Sequence, residues 1–298
     1  LSNYLTSKEL IRHFAKTVAA GGGMTLNVGP AADGQIPLIQ QERLLELGQW
    51  LEINGEAIYG TRPYHKFYEM KEVSITRTDS VIDFNWHRNS PDKAISYDNF
   101  SATWNGIFIP EKTATYTFEV EVDDNVKVTV DDKVIIDYNP AKANEQQSDA
   151  DMAKNWSSTS GKIKLKAGEP YNIKVEYQEK NIDAMMRLFV SSGRDVTSVA
   201  SKKLLKPLDG FRAEYKCEQP YVCYTTKGDD LYAIAIEFPQ DELVLEIPQP
   251  KENTIVKMLG CEKILPWKYE DGKMIIDTTP LKYNDLKSDA AWVFKIRL

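Results

Sequence analysis

AAGGGMTLNVGPAADGQIPLIQQERLLELGQWLEINGEAIYGTRP, residues 19–63, decides how the N-terminal region is read. Gly21-Gly22-Gly23 ends a helix, and Met24-Thr25-Leu26-Asn27-Val28 reads as a short buried strand. Gly29 to Pro37 is a polar turn. A second helix runs from Leu38, with Pro37 near its first turn, to Ile53; Leu44, Leu47 and Leu51 share one face, and Asn54-Gly55 closes it. Upstream, Thr6-Ser7-Lys8-Glu9 is a capping box, in which the Thr6 hydroxyl accepts an early helix N–H and Glu9 reaches back to the cap. It predicts a helix over Ser7–Ala20, with Leu10, Ile11, Phe14 and Val18 at helical spacing. Helix, strand, loop, helix is the repeat of a parallel α/β fold. One strand is not a sheet, and a (β/α)8 barrel takes ~250 residues. Residues 1–64 are therefore expected to be the C-terminal end of a barrel whose larger part lies upstream of Leu1. That upstream segment is expected to cover the apolar faces of both helices.

Composition narrows the rest. The chain has 298 residues, 37 basic and 44 acidic, a net charge of −7. At a typical ~150 residues per domain this predicts about two domains. The negative balance, with no block of Lys and Arg, argues against a nucleic-acid partner. No apolar run approaches the ~18 residues of a membrane span. Cys217, Cys223 and Cys261 are too few for a disulfide scaffold and lack zinc spacing, and His13, His65 and His87 are far apart. Cys217 and Cys223 flank Pro220 and read either as a disulfide in an oxidising compartment or as two separate buried thiols.

From about Val81 the hydrophobic period changes to two. Tyr116, Phe118, Val120 and Val122 alternate with polar residues, as do Val126, Val128 and Val130; Val134-Ile135-Ile136 follows the Asp131-Asp132 turn. Ile163 and Leu165 precede a Gly-Pro turn, then Ile173, Val175 and Tyr177 alternate, and Met186, Leu188 and Val190 form another strand. Residues 139–160 read as a long polar loop. Farther on, Leu243/Leu245, Ile275/Ile276 and Trp292/Phe294/Ile296 supply strands of a second sandwich. The fold class expected is mixed α/β and all-β: a helix-strand-helix barrel end (1–64), a linker (65–80), an inserted antiparallel β-sandwich (81–205) and a C-terminal β-sandwich (206–298).

Three segments carry resemblances. The Gly run, Leu26-Asn27-Val28-Gly29-Pro30, the Asp33-Gly34 turn, Gly48-Gln49-Trp50-Leu51 and the Asn54–Pro63 exit resemble, in order, the last barrel strand and helix of α-L-fucosidases of glycoside hydrolase family 29. Tyr224–Ala233 is similar to the start of the C-terminal sandwich of the same enzymes. Phe100–Gly106, Val122-Asp123-Asp124-Asn125-Val126 and Leu165–Gly168 leading to Val175-Glu176-Tyr177 resemble the protective-antigen domain family, β-sandwiches found with glycosidases and adhesins. The first resemblance implies retaining hydrolysis of terminal α-L-fucosides, a fucosylated glycan as partner, no cofactor for the chemistry, and a periplasmic or extracellular protein whose signal peptide lies upstream. The family's catalytic acids come from earlier strands with no counterpart here, so the chain alone is expected to be inactive.

Site candidates follow from the same segments. A retaining glycosidase needs two carboxylates ~5–5.5 Å apart, and the single expected barrel strand offers Asn27 instead, read as a support of the active-site floor or as a loop hydrogen-bonder. Asp33 is read as a turn residue, Glu56 as a structural partner, and Trp50 and Trp104 as core. In sugar-binding protective-antigen modules a matching Asp-Asp pair holds calcium, so Asp123, Asp124 and Asn125 are candidate ligands; a polar loop capping the strands is the alternative. Trp86 and Trp156 are candidate stacking platforms, Trp156 the better placed. Asn99 and Asn155 head glycosylation triplets. The competing functions are a non-catalytic glycan-binding or adhesion protein and a structural spacer.

Overall fold

The computed structural model describes residues 4–140, 156–192 and 202–298. It divides into two compact units, Glu72–Gln219 and a second made of Leu1–Lys71 with Pro220–Leu298.

The strands that build the first unit are β1 (Arg62–Asp79), β2 (Asp83–His87), β3 (Phe100–Phe108), β4 (Ala114–Val122), β5 (Asn125–Val130), β6 (Lys133–Tyr138), β7 (Ser157–Leu165), β8 (Tyr171–Gln178), β9 (Ala184–Ser192), β10 (Lys203–Leu204) and β11 (Phe211–Lys227), the first and last contributing the halves that fall within it. One sheet runs β11-β3-β8-β5-β6 and the other β10-β9-β4-β7, with β2 on β9. Each strand places alternate side chains inward. Phe118, Val120, Val122, Val126, Val128, Val130, Ile173, Val175 and Tyr177 are all buried, as the period-two pattern predicts. Trp104 is fully buried, in agreement with its reading as core, and its Nε1 donates to Asp79 Oδ2 at 2.9 Å. Asp79 also accepts from Tyr215 Oη (2.6 Å) and Arg77 Nε (2.8 Å), so this buried carboxylate is fully engaged. Trp86 stacks on Phe84 with ring centroids 4.9 Å apart and packs against the core, which corrects its reading as a free platform.

Two expectations change. The expected linker 65–80 lies within the 18-residue strand β1, whose Val73 and Ile75 pack against the sandwich core. The expected boundary at 205/206 is displaced. Phe211, Ala213 and Tyr215 are completely buried in this unit's core, and Arg212–Cys217 pair antiparallel with β3. Alternation identifies a strand but not the sheet that receives it.

The second unit holds helices α1 (Ser7–Ala19) and α2 (Leu38–Asn54) and strands β12 (Asp230–Ala235), β13 (Glu242–Leu245), β14 (Val256–Met258), β15 (Ile264–Leu265), β16 (Trp267–Glu270), β17 (Lys273–Asp277) and β18 (Trp292–Arg297). The C-terminal half of β11 begins a sheet that continues β12-β18-β14-β15; β13-β17-β16 forms the facing sheet. Tyr224, Leu231, Ala233 and Phe294 point into the sandwich. Their neighbours Cys223, Tyr232, Ile234 and Val293 point the other way and pack on Ile11, Ala15, Ala19 and Trp50 of the helices. The Thr6–Glu9 capping box forms as predicted. Trp50 is buried, and its Nε1 donates to Ala291 O at 2.9 Å.

The expected strand Met24–Val28 is absent: the segment forms no strand, and Thr25, Leu26 and Asn27 are exposed. A parallel strand makes its hydrogen bonds only to neighbouring strands, and among the described residues none runs beside this one. Leu38, Leu44 and Leu45 of α2 are exposed, at 82%, 38% and 66%. All three cysteines are free. Cys217 and Cys223 both belong to the extended strand β11, where a span of six residues is ~20 Å, far beyond disulfide reach. Among the described residues no helix is long and apolar enough to cross a membrane.

Candidate functional site

The first unit brings Asp98, Asp123, Asp124, Glu179 and Asp183 together at one end, where three connections meet. The turn between β4 and β5 is Asp123-Asp124; a direct reversal from Val122 to Asn125 leaves room for a left-handed residue, and Asp124 takes it, with φ 64°. Asp is among the few residues that tolerate this conformation. The β8–β9 connection runs alongside. Lys180 N donates to Asp124 Oδ2 at 2.7 Å, and Asp123 N to Met185 O at 3.0 Å. The β2–β3 connection completes the group: Asn99 N donates to Lys180 O (3.1 Å), Glu179 N to Phe100 O (2.8 Å) and Ile182 N to Asp98 Oδ1 (2.9 Å). Ile182 is held at φ 79°. A β-branched residue there is a true backbone outlier, a kind of strain that concentrates at binding loops.

The electrostatics of this end are one-sided. Burial pushes the Asp123 carboxyl up to about 7, with Asp124 and Asp183 adding to the shift. Burial likewise pushes Glu179 up to about 8; Asp124, Asp123 and Asp98 reinforce this, while the Tyr177 hydroxyl, donating to Oε2 at 2.6 Å, holds it down. Two buried acceptors have no hydrogen-bond partner: Glu179 Oε1 and Asn125 Oδ1. Asn125 Nδ2 meanwhile donates to Gln178 Oε1 at 3.3 Å. Acceptors left over in a region crowded with carboxylates fit a hard cation, which takes carboxylate and amide oxygens together. Among the described residues no three acidic, histidine or cysteine side chains form a closed metal cage. The oxygens stand as acceptors on converging loops rather than as a formed coordination sphere. A polar cleft of about 250 Å³, lined among others by Asn99, Ser101, Gln178, Glu179, Lys180 and Lys216, opens beside them.

Of the residues singled out from sequence, Asp123, Asp124 and Asn125 thus lie together. Trp156 precedes Ser157, which pairs with Val122, so it sits at the same end of the sheet and is half-buried. Asn27 lies exposed in the loop before α2, in the other unit. Asp33 makes the expected turn, its Oδ1 accepting from Gln35 N at 3.0 Å beside Gly34 at φ 84°. Glu56 is a structural partner as read: it accepts from Tyr232 Oη at 2.8 Å and pairs with Lys295. Asn99 is exposed, whereas Asn155 lies outside the described residues. Glu179 was missed, because in sequence it is one more charge after an alternating strand; the signal lay in Tyr177-Gln178-Glu179, where the next inward position after Tyr177 is a glutamate.

Three segments of the chain match known families. Residues 1–56 match the α-L-fucosidase family, residues 217–297 the α-L-fucosidase C-terminal domain, and residues 62–193 the PA14 domain, the protective-antigen family. The plasma α-L-fucosidase of Rattus norvegicus is 37% identical over 100 residues, 34% of this chain and 20% of that protein. The tissue α-L-fucosidase of Homo sapiens is 40% identical over 94 residues, 30% of this chain and 20% of that protein. The anti-sigma-I factor RsgI3 of Acetivibrio thermocellus is 30% identical over 147 residues, 49% of this chain and 21% of that protein. The matches span about a fifth of the length of these relatives.

Proposed function

The chain carries α-L-fucosidase sequence on both sides of a PA14 domain, and from that premise we propose that the complete protein is a retaining α-L-fucosidase of glycoside hydrolase family 29. Its substrate is a terminal α-L-fucoside on a glycan or oligosaccharide, and it works in the periplasm or outside the cell. The observation that carries this reading is the pair of fucosidase matches that flank the inserted unit. Retaining hydrolysis takes a nucleophile and an acid/base, two carboxylates ~5–5.5 Å apart, at the C-terminal ends of barrel strands. The barrel-end segment here presents Asn27 and no such pair. In this reading α1 and α2 close a barrel supplied by upstream sequence, and the exposed Leu38, Leu44 and Leu45 support it. The test is hydrolysis of an aryl α-L-fucoside. Residues 1–298 should show none, and the protein completed with its upstream barrel should turn it over. Turnover by residues 1–298 alone would displace the active site.

The inserted unit is read as a glycan-binding module with calcium at Asp123, Asp124 and Asn125 and Trp156 near the sugar. The orphaned Asn125 Oδ1 and the convergence of acidic loops support it. When bound, calcium would supply positive charge to hold sugar hydroxyls, and the protein would orient it through the Asp124 carboxylate that Lys180 N fixes. The same acidic end favours the adhesion reading as the second choice. A completed protein that binds glycans but is inert on every fucoside would establish that alternative.

A further inference from the structure

The second sandwich is open along one side. Strand β15 ends one of its sheets and β16 ends the other, and only Pro266 joins them. Edge strands are where a sheet stays available to other molecules. A cleft of about 580 Å³ lies at these two edges, bordered by the β13–β14 connection, which supplies Gln249, Glu252 and Ile255. That volume falls within the ~300–1,000 Å³ of small-molecule sites. Trp267 and Tyr269 line the cleft two positions apart on β16, so they share one face of the strand. Their partners Ile276 and Met274 are buried, and both rings are half-buried against the same core. Their polar tips are already engaged: Trp267 Nε1 donates to Thr254 O at 2.8 Å and Tyr269 Oη to Ile247 O at 3.0 Å. What the rings offer the cleft is therefore carbon surface in a fixed orientation. Ile255 and Ile264 extend that surface and stay 58% and 60% exposed.

The rim is polar. Gln249 and Glu252 are exposed at the cleft, and among the described residues neither side chain makes a hydrogen bond within the protein. Glu252 is the one charged residue among the described residues that line the cleft. An anion would find no Lys or Arg to hold it, and a metal ion would find a single carboxylate. A stable protein interface takes ~20–30 residues a side, whereas nine line this cleft. The chemistry that fits is a neutral molecule with apolar C–H faces to lie on the rings and hydroxyls to bond an amide and a carboxylate. We propose that the second sandwich binds a neutral oligosaccharide in this cleft, stacked on Trp267 and Tyr269 and hydrogen-bonded by Gln249 and Glu252. The choice of a glycan over other hydroxylated molecules rests on the α-L-fucosidase reading. The cleft would hold sugar units of the substrate glycan other than the reacting fucose and keep the enzyme at its substrate. It is separate from the Asp123-Asp124-Asn125 turn, which belongs to the other unit.

The experiment uses the whole chain labelled with fluorotryptophan, in EDTA so that a calcium-dependent site in the inserted unit stays silent. The probe is fucosyllactose, a neutral fucosylated trisaccharide. Trp267→Phe assigns the Trp267 fluorine resonance. Titration should shift that resonance saturably at millimolar sugar and leave the resonance of Trp104, fully buried in the other unit, unmoved. Gln249→Ala and Glu252→Ala change exposed side chains without internal hydrogen bonds, so both should fold as the parent does, and each should weaken binding several-fold. A Trp267 resonance that stays in place up to the solubility of the sugar, or binding unchanged in both rim variants, would overturn the proposal. The fucosidase reading is judged separately, by hydrolysis of the aryl fucoside with the completed protein. Turnover there with Trp267 unmoved would overturn this inference alone. A shifted Trp267 in a completed protein inert on every fucoside would overturn the fucosidase reading and keep the cleft as a glycan site.

Discussion

At the scale of single residues, the inserted unit contains three carboxylates with opposite fates. Asp79 is buried and served by three donors, Trp104, Tyr215 and Arg77. Trp104→Phe keeps most of the buried ring and deletes one charge-assisted bond, so it should cost about 1.5–3 kcal/mol in urea unfolding; a neutral result would mean that water replaces the indole. Asp123 and Glu179 are the contrary case, with carboxyls pushed up from 3.8 and 4.5 to about 7 and about 8. Between those limits the native state holds more protons than the unfolded chain. What these two groups contribute to stability therefore falls as pH rises from roughly 4 to 8. In EDTA, the urea midpoint of the chain should drop between pH 5 and pH 8, and an Asp123→Asn, Glu179→Gln double variant should lose most of that slope. An equal slope in the variant would place the titration elsewhere.

At the scale of elements, β6 crosses β7 closely enough that only glycine fits. A Cβ built on Gly161 would lie 2.0 Å from Ile135 O, a backbone atom that has nowhere to move. Gly161→Ala should destabilise the inserted unit by about 1–3 kcal/mol, as overpacking does, measurable as a lower thermal midpoint. Its φ is negative, so the cost is contact, not backbone strain. The start of helix α1 was legible to the residue because its cap is local: Thr6 and Glu9 are three apart and bond each other. The segment 24–28 was not legible, since strand formation depends on neighbours that local sequence does not specify.

At the scale of the molecule, the inserted unit returns to the chain through β11. Expressing residues 78–205 alone, which spans the 81–205 that alternation suggests, removes Phe211, Ala213 and Tyr215 from a core in which each is fully buried. Residues 72–219 keep them. The longer piece should unfold cooperatively, and the shorter should aggregate or lose its near-ultraviolet signal; cooperative unfolding of 78–205 would show that β11 is dispensable.

Sequence by itself determined the order of textures in this protein: two amphipathic helices, then alternating strands, then a second set of strands, with the fucosidase and PA14 segments in matching order. These are properties of neighbouring residues, because helix caps, turn glycines and the two periods act over a few positions. Its resemblance to the protective-antigen family also picked out Asp123, Asp124 and Asn125. Tertiary structure alone decided which strands share a sheet, that β11 gives its first half to the inserted core, that Met24–Val28 is not a strand, and that Glu179 stands beside the Asp-Asp turn. Each of those depends on groups brought together across long stretches of chain. Period and composition carry no information about such partners, and only packing and burial choose them.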